Sequence, residues 1–347
     1  MRQCSPIRGV RDDTRGPVAR WTGEHGEKSL SRILIRGASG FLGRHLSRQL
    51  VAGGEAVRLH ARRAGRLPGD LVGHPLVEVI EGDVQDERIV RASLKDVARV
   101  IDFIGTTLPA SPSANFTSEL DLTLRPLGIL LDSMEDAGVP RIVFPSSGGT
   151  VYGRTEGSAI AEDAPVRPES YYGLGKALAE EMIRFRARRP GFEYLILRIA
   201  NPFGREASTT LRQGAVDVFL ECALSGSAVD IWGDGSQRRD YIFIDDVVRA
   251  IETLVTSNAW NETFNVGTGV GSSVMDVLQI VEEVTGRRLE RRRRGDVYAG
   301  VPSNVLDPAK IHAVTKWSPH YDLRSGIEEA WRRLTDRPAP MRQIFTA

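Results

Sequence analysis

Short apolar runs at 33–35, 56–60, 77–80, 99–104 and 141–144 alternate with stretches of helical periodicity. That rhythm predicts βαβ units joined into a parallel sheet. The first run, Ile33-Leu34-Ile35, enters a turn with glycines at 37, 40 and 43; a helical pattern follows, with Phe41, Leu42, Leu46 and Leu50 as its apolar residues. Further along, 115–138 and 172–187 read as helices with apolar stretches, 211–227 as another helix, and Tyr241-Ile242-Phe243-Ile244 as a strand. Asp245 and Asp246 then open a helix, placing carboxylates in the first turn, where the helix dipole favours them. Asn265–Gly269 and a helix from Ser273 to Thr285 rejoin the fold.

A glycine-rich turn between a strand and a helix is a dinucleotide site. Gly37 can take the dihedrals that a tight strand-to-helix turn needs. Gly40 keeps no side chain between the backbone and a pyrophosphate, and Gly43 lets the helix pack close to the strand. Ser39, Phe41 and Leu42 lie among these glycines and are expected cofactor contacts, with the positive end of the helix facing the anion. The expected architecture is α/β: a Rossmann-type, doubly wound parallel sheet with a smaller mixed α/β substrate-binding lobe. The dinucleotide domain is expected over 31–200, with 241–266 returning to it. The substrate lobe covers 201–240 and 267–335, and 336–347 form a tail. Residues 1–30 carry many Arg, Gly, Asp and Glu and no periodicity, so they read as a disordered extension or as an upstream start codon.

The end of the second strand selects the dinucleotide, because a carboxylate there would hold the ribose 2′-hydroxyl. Here Ala61 and Arg62 stand in its place, so NAD is the expected cofactor and NADP remains open. Arg36 and Arg62 are candidates to meet a 2′-phosphate, the alternative being two solvated surface residues. Asp83 and Val84, after the third strand, are placed to contact the adenine edge. Ile104, Gly105 and Thr106 end the fourth strand beside the dinucleotide, Gly105 allowing close approach and Thr106 reaching the substrate.

Tyr172 and Lys176 are four residues apart in a helix that Pro168 and Ser170 introduce, so they share a face. No other tyrosine in the chain has lysine four positions later. A phenol near pKa 10 is a poor base at neutral pH. A nearby ammonium and an oxidised nicotinamide both favour phenolate, which brings Tyr172 toward working range; the lysine also holds the nicotinamide ribose.

These features, with Ser146-Ser147-Gly148-Gly149-Thr150-Val151-Tyr152-Gly153, Arg198–Gly204 and Gly233–Tyr241, resemble an extended short-chain dehydrogenase/reductase of the nucleotide-sugar epimerase/dehydratase family, to which UDP-glucose 4-epimerase belongs. The resemblance covers about residues 31 to 335. It implies that Asn201 and Arg239 contact a nucleotide diphosphate, for which a guanidinium fork is well suited. The family's catalytic Ser or Thr falls on Gly148, so Ser147 or Thr150 is expected to supply that hydroxyl, Ser147 being preferred. Arg293, followed by Gly295-Asp296, is similar to the family's phosphate-binding Arg-x-Gly-Asp, although its distance to Asp307 looks a few residues too long. The alternative is a solvated charged face over Arg291–Arg294.

The resemblance implies a nucleotide-sugar 4-epimerase acting on a UDP-linked sugar by transient oxidation at C4, and a homodimer formed through the helices at 115–138 and 172–187. An NADPH-dependent reductase is the runner-up. A 4,6-dehydratase would need an acid pair where Gly149 and Thr150 stand. A non-catalytic dinucleotide sensor is disfavoured by the retained Tyr172/Lys176 pair. A net charge of +1 gives no argument for nucleic-acid binding, and the two cysteines, Cys4 and Cys222, offer neither a disulfide framework nor a metal cluster. With no apolar run approaching the roughly 20 residues that span a bilayer, the cytoplasm is the expected location.

Overall fold

The computed structural model describes residues 32–105, 115–155, 159–206, 214–295 and 300–336. The 1–30 extension, most of the tail, and Thr106 lie outside them. In chain order the first half comprises β1 (Arg32–Arg36), α1 (Phe41–Ala52), β2 (Val57–Ala61), β3 (Val77–Glu81), α2 (Glu87–Ser93), β4 (Val97–Asp102), α3 (Phe116–Glu119), a π-helical turn (Leu120–Leu124), α4 (Arg125–Ala137), β5 (Arg141–Ser147), α5 (Gly148–Val151), α6 (Tyr171–Arg186) and β6 (Glu193–Ile199). The second half adds β7 (Asn201–Phe203), α7 (Ala215–Ser225), β8 (Val229–Trp232), β9 (Arg238–Phe243), α8 (Ile244–Thr256), β10 (Glu262–Val266), β11 (Gly271–Ser273), α9 (Val274–Thr285), β12 (Arg291–Arg294), β13 (Ser303–Asn304), α10 (Ala309–Thr315) and α11 (Leu323–Thr335).

Each of the five apolar runs is a strand, and with β6 and β10 they form one seven-stranded parallel sheet in the order β10-β6-β5-β4-β1-β2-β3. The order runs outward from β1 in one direction and from β4 in the other, which opens a crevice at their carboxyl ends. Successive residues of a strand face opposite sides of the sheet. Ile33 and Ile35 therefore join a core with Leu46 of α1 and Val247 of α8, whereas Leu34 joins a second core with Leu130 of α4 and Ile183 of α6.

A smaller sheet, β11-β9-β13 with β7 beside β9, and the β8/β12 pair make up the second lobe. Of the 241–266 stretch, β10 lies in the large sheet, while Tyr241–Phe243 lies in β9 of the small one. Phe243 is held there between the rings of Phe203 and Tyr321, at 5.5 and 4.6 Å. α7 is shorter than the 211–227 expectation: Gly214 and Gly226 take φ of 87° and 71° and end the helix on both sides. Asp245 and Asp246 occupy the first turn of α8 as expected, and they also anchor the C-terminal segment. Asp246 accepts from the amides of His320 and Tyr321 at 2.8 and 3.0 Å, and Asp245 pairs with Arg333 at 2.5 Å.

A buried clamp seats α6 on the sheet. Glu180, fully buried on α6, accepts from the Ser146 hydroxyl of β5 at 2.6 Å and from Arg198 of β6 at 3.1 and 2.7 Å. Burial raises the Glu180 carboxyl, but Arg198 outweighs it and holds the group below the usual carboxylate range. Removing one partner of such a pair strands the other charge away from water. Glu180→Ala is therefore expected to destabilise the fold by about 3–5 kcal/mol, read as a lowered urea midpoint at unchanged slope.

Candidate active site

The crevice begins at the glycine turn. Gly37 has φ +72°, and a Cβ there would lie 3.1 Å from the Phe103 backbone at the end of β4. A Cβ on Gly43 would come within 2.4 Å of the Gly37 carbonyl oxygen and 2.8 Å of Ala38 Cα, both fixed backbone atoms. Gly40 donates its amide to Gly37 O at 2.9 Å and, as N-cap of α1, leads into a first turn whose amides open toward the crevice. Gly37 and Gly43 leave no room for a side chain, and the concavity suits a pyrophosphate. Ser39, Phe41 and Leu42 complete the turn, with the Ser39 carbonyl accepting from Arg44 at 2.8 Å.

Arg36 departs from expectation. It is neither solvated nor directed at a phosphate but fully buried, paired with Asp102 at 3.3 Å. Its guanidinium also reaches the carbonyls of Val84 (3.4 Å) and Pro126 (3.5 Å). The two residues are register partners on adjacent parallel strands, β1 and β4, so their charges meet inside the sheet. Arg62 is exposed at the end of β2. Asp83 is also exposed, accepting from the Gln85 amide at 2.9 Å, and Val84 lies half-buried beside it. Ile104 donates its amide to Asp102 at 3.2 Å, and Gly105 lies open at the crevice.

Ser170 caps α6, accepting from the Gly173 amide at 3.1 Å, and Tyr172 and Lys176 rise from its first turns. The Lys176 ammonium donates to the Pro145 carbonyl at 3.0 Å, sits 4.6 Å from the centre of the Phe144 ring, and would be 3.6 Å from a Cβ on Gly105. Burial pulls Lys176 down to about 8, opposed by Asp102, Glu119 and Glu180. Burial pushes the Tyr172 phenol up to about 12; a hydrogen bond with Ser147 opposes the rise and Glu119 adds to it. The protein alone thus places the phenol above its ordinary value, not toward neutrality, because desolvation dominates.

Of the two candidate hydroxyls, Ser147 is the one whose influence on Tyr172 favours the phenolate. The Thr150 hydroxyl is buried and has no hydrogen-bond partner among the described residues. Gly148 has no room for a side chain: a Cβ there would be 2.5 Å from Leu306 Cδ1 and 3.0 Å from the Arg198 carbonyl. Across Gly149, Ser147 Oγ and Asn201 Oδ1 face the same point, at 3.9 and 3.7 Å from where its Cβ would stand. Asn201 and Arg239 line one pocket with Phe203, Val216, Gln237 and Tyr241. Asn201 donates to the Asp240 carbonyl at 2.9 Å, and Arg239 donates to those of Arg238 and Val301, both at 2.7 Å. Arg293, on β12, is exposed and donates to the Gly233 carbonyl at 3.1 Å; it is not among the residues lining that pocket.

The model of the NAD-dependent epimerase/dehydratase family matches residues 33–267, more than half of the chain. The chain belongs to this family. It is 30% identical over 312 residues to a putative UDP-glucose 4-epimerase of Methanocaldococcus jannaschii, covering 88% of this chain and 99% of that one. It is likewise 30% identical over 331 residues to a dTDP-4-dehydro-6-deoxy-D-allose reductase of a Streptomyces species, covering 92% and 99%. Among solved structures, the UDP-glucose 4-epimerase of Thermotoga maritima with UDP-glucose superposes with a TM-score of 0.80 at 28% identity, over 87% of this chain and 98% of that one.

Within this epimerase/dehydratase fold, two charged residues at the site escape a motif-based reading. Asp102 belongs to the strand end expected to pass the dinucleotide, but nothing in the sequence shows its pairing with Arg36 or its influence on Lys176. Glu119 falls in a segment read only as an apolar helical face, yet it is almost wholly buried against α6. Their shared signal is an acidic side chain on the inward parity of an apolar element.

No helix among the described residues is long and apolar enough to cross a membrane. For Lys176, folded and unfolded states differ in the direction that makes the unfolded chain bind more protons between about pH 8 and 10.5. The buried ammonium thus opposes folding below pH 8, and that opposition is relieved as pH rises through this window. The protein is expected to gain stability across it relative to Lys176→Met, measured by denaturant titration at each pH.

Proposed function

We propose that the chain is a nucleotide-sugar 4-epimerase acting on a UDP-linked sugar, with NAD as its cofactor. The observation that carries this reading is the placement of Tyr172 and Lys176 on the first turns of α6, with the Lys176 ammonium held on the Pro145 carbonyl beside Gly105 at the crevice between β1 and β4. Gly37, Gly40 and Gly43 would hold the pyrophosphate, Asp83 and Val84 the adenine edge, and Lys176 the nicotinamide ribose. NAD bound there supplies a reversible two-electron acceptor and a positive ring whose field favours phenolate.

Tyr172 removes the proton of the sugar 4-hydroxyl and later returns it, while Ser147 shares a hydrogen bond with the same oxygen. Asn201 and Arg239 hold the diphosphate and keep the sugar in register, so that reaction is effectively intramolecular. Arg293, in the same lobe but outside their pocket, is given no part in that contact. Thr150 receives no role in proton transfer, since its hydroxyl is turned into the protein. Gly149 and Thr150 supply no acid pair, which disfavours 4,6-dehydration.

Ala61 and exposed Arg62 at the end of β2, and the likeness to the Streptomyces reductase, favour a second reading as an NADPH-dependent reductase. Incubation with UDP-glucose and UDP-N-acetylglucosamine separates the two: epimerisation proceeds without net consumption of dinucleotide, and reduction of a 4-keto sugar consumes it. Tyr172→Phe is expected to bind substrate and lose turnover by about 10³-fold or more, near the range of general acid–base contributions; near-normal turnover would refute the assignment.

Leu120 and Leu122 on the π-helical turn and Phe185 on α6, the last 64% exposed, offer an apolar surface. They support a homodimer through these helices. Light scattering at micromolar concentration is expected to give twice the chain mass, and Phe185→Asp to reduce it to one.

A further inference from the structure

Gly175 lies between Tyr172 and Lys176 in register, and its missing side chain is filled from another element. The carboxyl of Glu119, at the end of α3, occupies that notch: a Cβ on Gly175 would lie 2.4 Å from Glu119 Oε2, 3.1 Å from its Cδ and 3.3 Å from its Cγ. Glu119 is only 1% exposed. Oε2 accepts from the Thr123 hydroxyl at 3.0 Å, while Oε1 is buried without a hydrogen-bond partner among the described residues. A buried carboxyl with an unsatisfied oxygen is costly and is rarely left so without a purpose.

Packing gives one reason for the arrangement. The chain is α-helical up to Glu119, then widens into a π-helical turn over Leu120–Leu124 before α4 begins. Such turns are commonly found at functional sites. This one sits against α6, with Thr123 positioned to hold the carboxyl by its second-row hydroxyl. The carboxyl therefore has a defined seat in the flank of the helix that carries the working pair.

We propose that Glu119 is a positioning residue for Tyr172 and Lys176, its carboxylate held in the Gly175 notch to set the electrostatic field across both groups. This rests on the reading of Tyr172 and Lys176 as the working pair. The groups facing Lys176 are Asp102 from β4, Glu119 from α3 and Glu180 from α6; Asp102 is already engaged by Arg36, and Glu180 by Arg198 and Arg184. Glu119 has no cation as an ion-pair partner among the described residues, and it is the one carboxyl of the three that acts on Tyr172 as well as on Lys176. It raises the values of both Tyr172 and Lys176.

Removing that charge moves both groups the same way, toward acid. Glu119→Gln keeps the shape and the Thr123 contact. It is expected to lower the Lys176 titration midpoint, read by NMR of ¹³C-labelled lysine in the full chain, by about half a pH unit or more. The whole pH profile of kcat/KM should slide to lower pH with KM little changed, whereas a merely structural lesion lowers the profile without sliding it. Gly175→Ala, which expels the carboxyl from its notch, should lower the Lys176 midpoint likewise, and should have no further effect in a Glu119→Ala background. A Lys176 midpoint unmoved in Glu119→Gln, or an equal effect of Gly175→Ala with and without Glu119, overturns the proposal. The NMR readout needs no turnover. An inactive Tyr172→Phe with an unmoved Lys176 midpoint sinks the role of Glu119 alone, while an active Tyr172→Phe with a moved midpoint sinks the catalytic reading alone.

Discussion

A charge taken out of water must meet an opposite charge or a set of hydrogen bonds, and this requirement organises one whole face of the large sheet. Arg36, Asp102, Ser146 and Arg198 stand near the carboxyl ends of β1, β4, β5 and β6. Arg36 and Asp102 are register partners, as are Ser146 and Arg198. Their strand parity matches that of Leu34, Val100, Phe144 and Ile196, which form the core under α4 and α6. The apolar floor of that core thus ends in a polar row, and α6 lies over it with Lys176 and Glu180 pointing down. Arg36 meets Asp102 through the register of β1 against β4, and Arg198 meets Glu180, which α6 brings down from above. The seat of α6, and with it the placement of Tyr172, joins this electrostatic satisfaction to the apolar packing of Ala179 and Ile183.

The same burial has an opposite consequence for the titratable pair. Desolvation favours the neutral form of both a phenol and an amine, so it raises Tyr172 and lowers Lys176. A site that excludes water in order to strengthen electrostatic guidance necessarily disfavours the charged states that proton transfer uses. The carboxylates of Asp102, Glu119 and Glu180 correct this for the lysine, and the Ser147 hydroxyl partly corrects it for the phenol. The remaining correction falls to whatever positive charge arrives with the bound partners.

The fold was largely legible because its signals are local. Apolar runs, the spacing of Gly37, Gly40 and Gly43, and the four-residue separation of Tyr172 and Lys176 each depend on a few neighbours along the chain. What escaped depends on pairing across it. Arg36 looked like a surface or phosphate-facing residue because arginine is usually exposed. Its parity with Leu34 placed it on the inward face, and only the register of β1 against β4 supplied Asp102 to make that tolerable. Glu119 was invisible for the same reason, since the notch it fills belongs to a helix more than fifty residues away. α7 was misjudged at its ends because Gly214 and Gly226 adopt positive φ, which composition permits but does not require.

Gly148 shows how a departure from a family pattern can be read physically. A hydroxyl of the kind the resemblance expects is absent there, and Leu306, from the segment after β13, fills the space where such a side chain would project, while Asn304 donates to the Gly148 carbonyl at 3.0 Å. The second lobe is thus locked against the first at the position where the pattern expects chemistry. One residue earlier, Ser147 occupies the last position of β5, still extended with φ −123°, before the chain turns into α5. A side chain at that point leaves the carboxyl end of β5 on the Asn201 side, clear of the lobe contact at Gly148. Moving the hydroxyl back by one position keeps it at the crevice without disturbing the packing between the lobes.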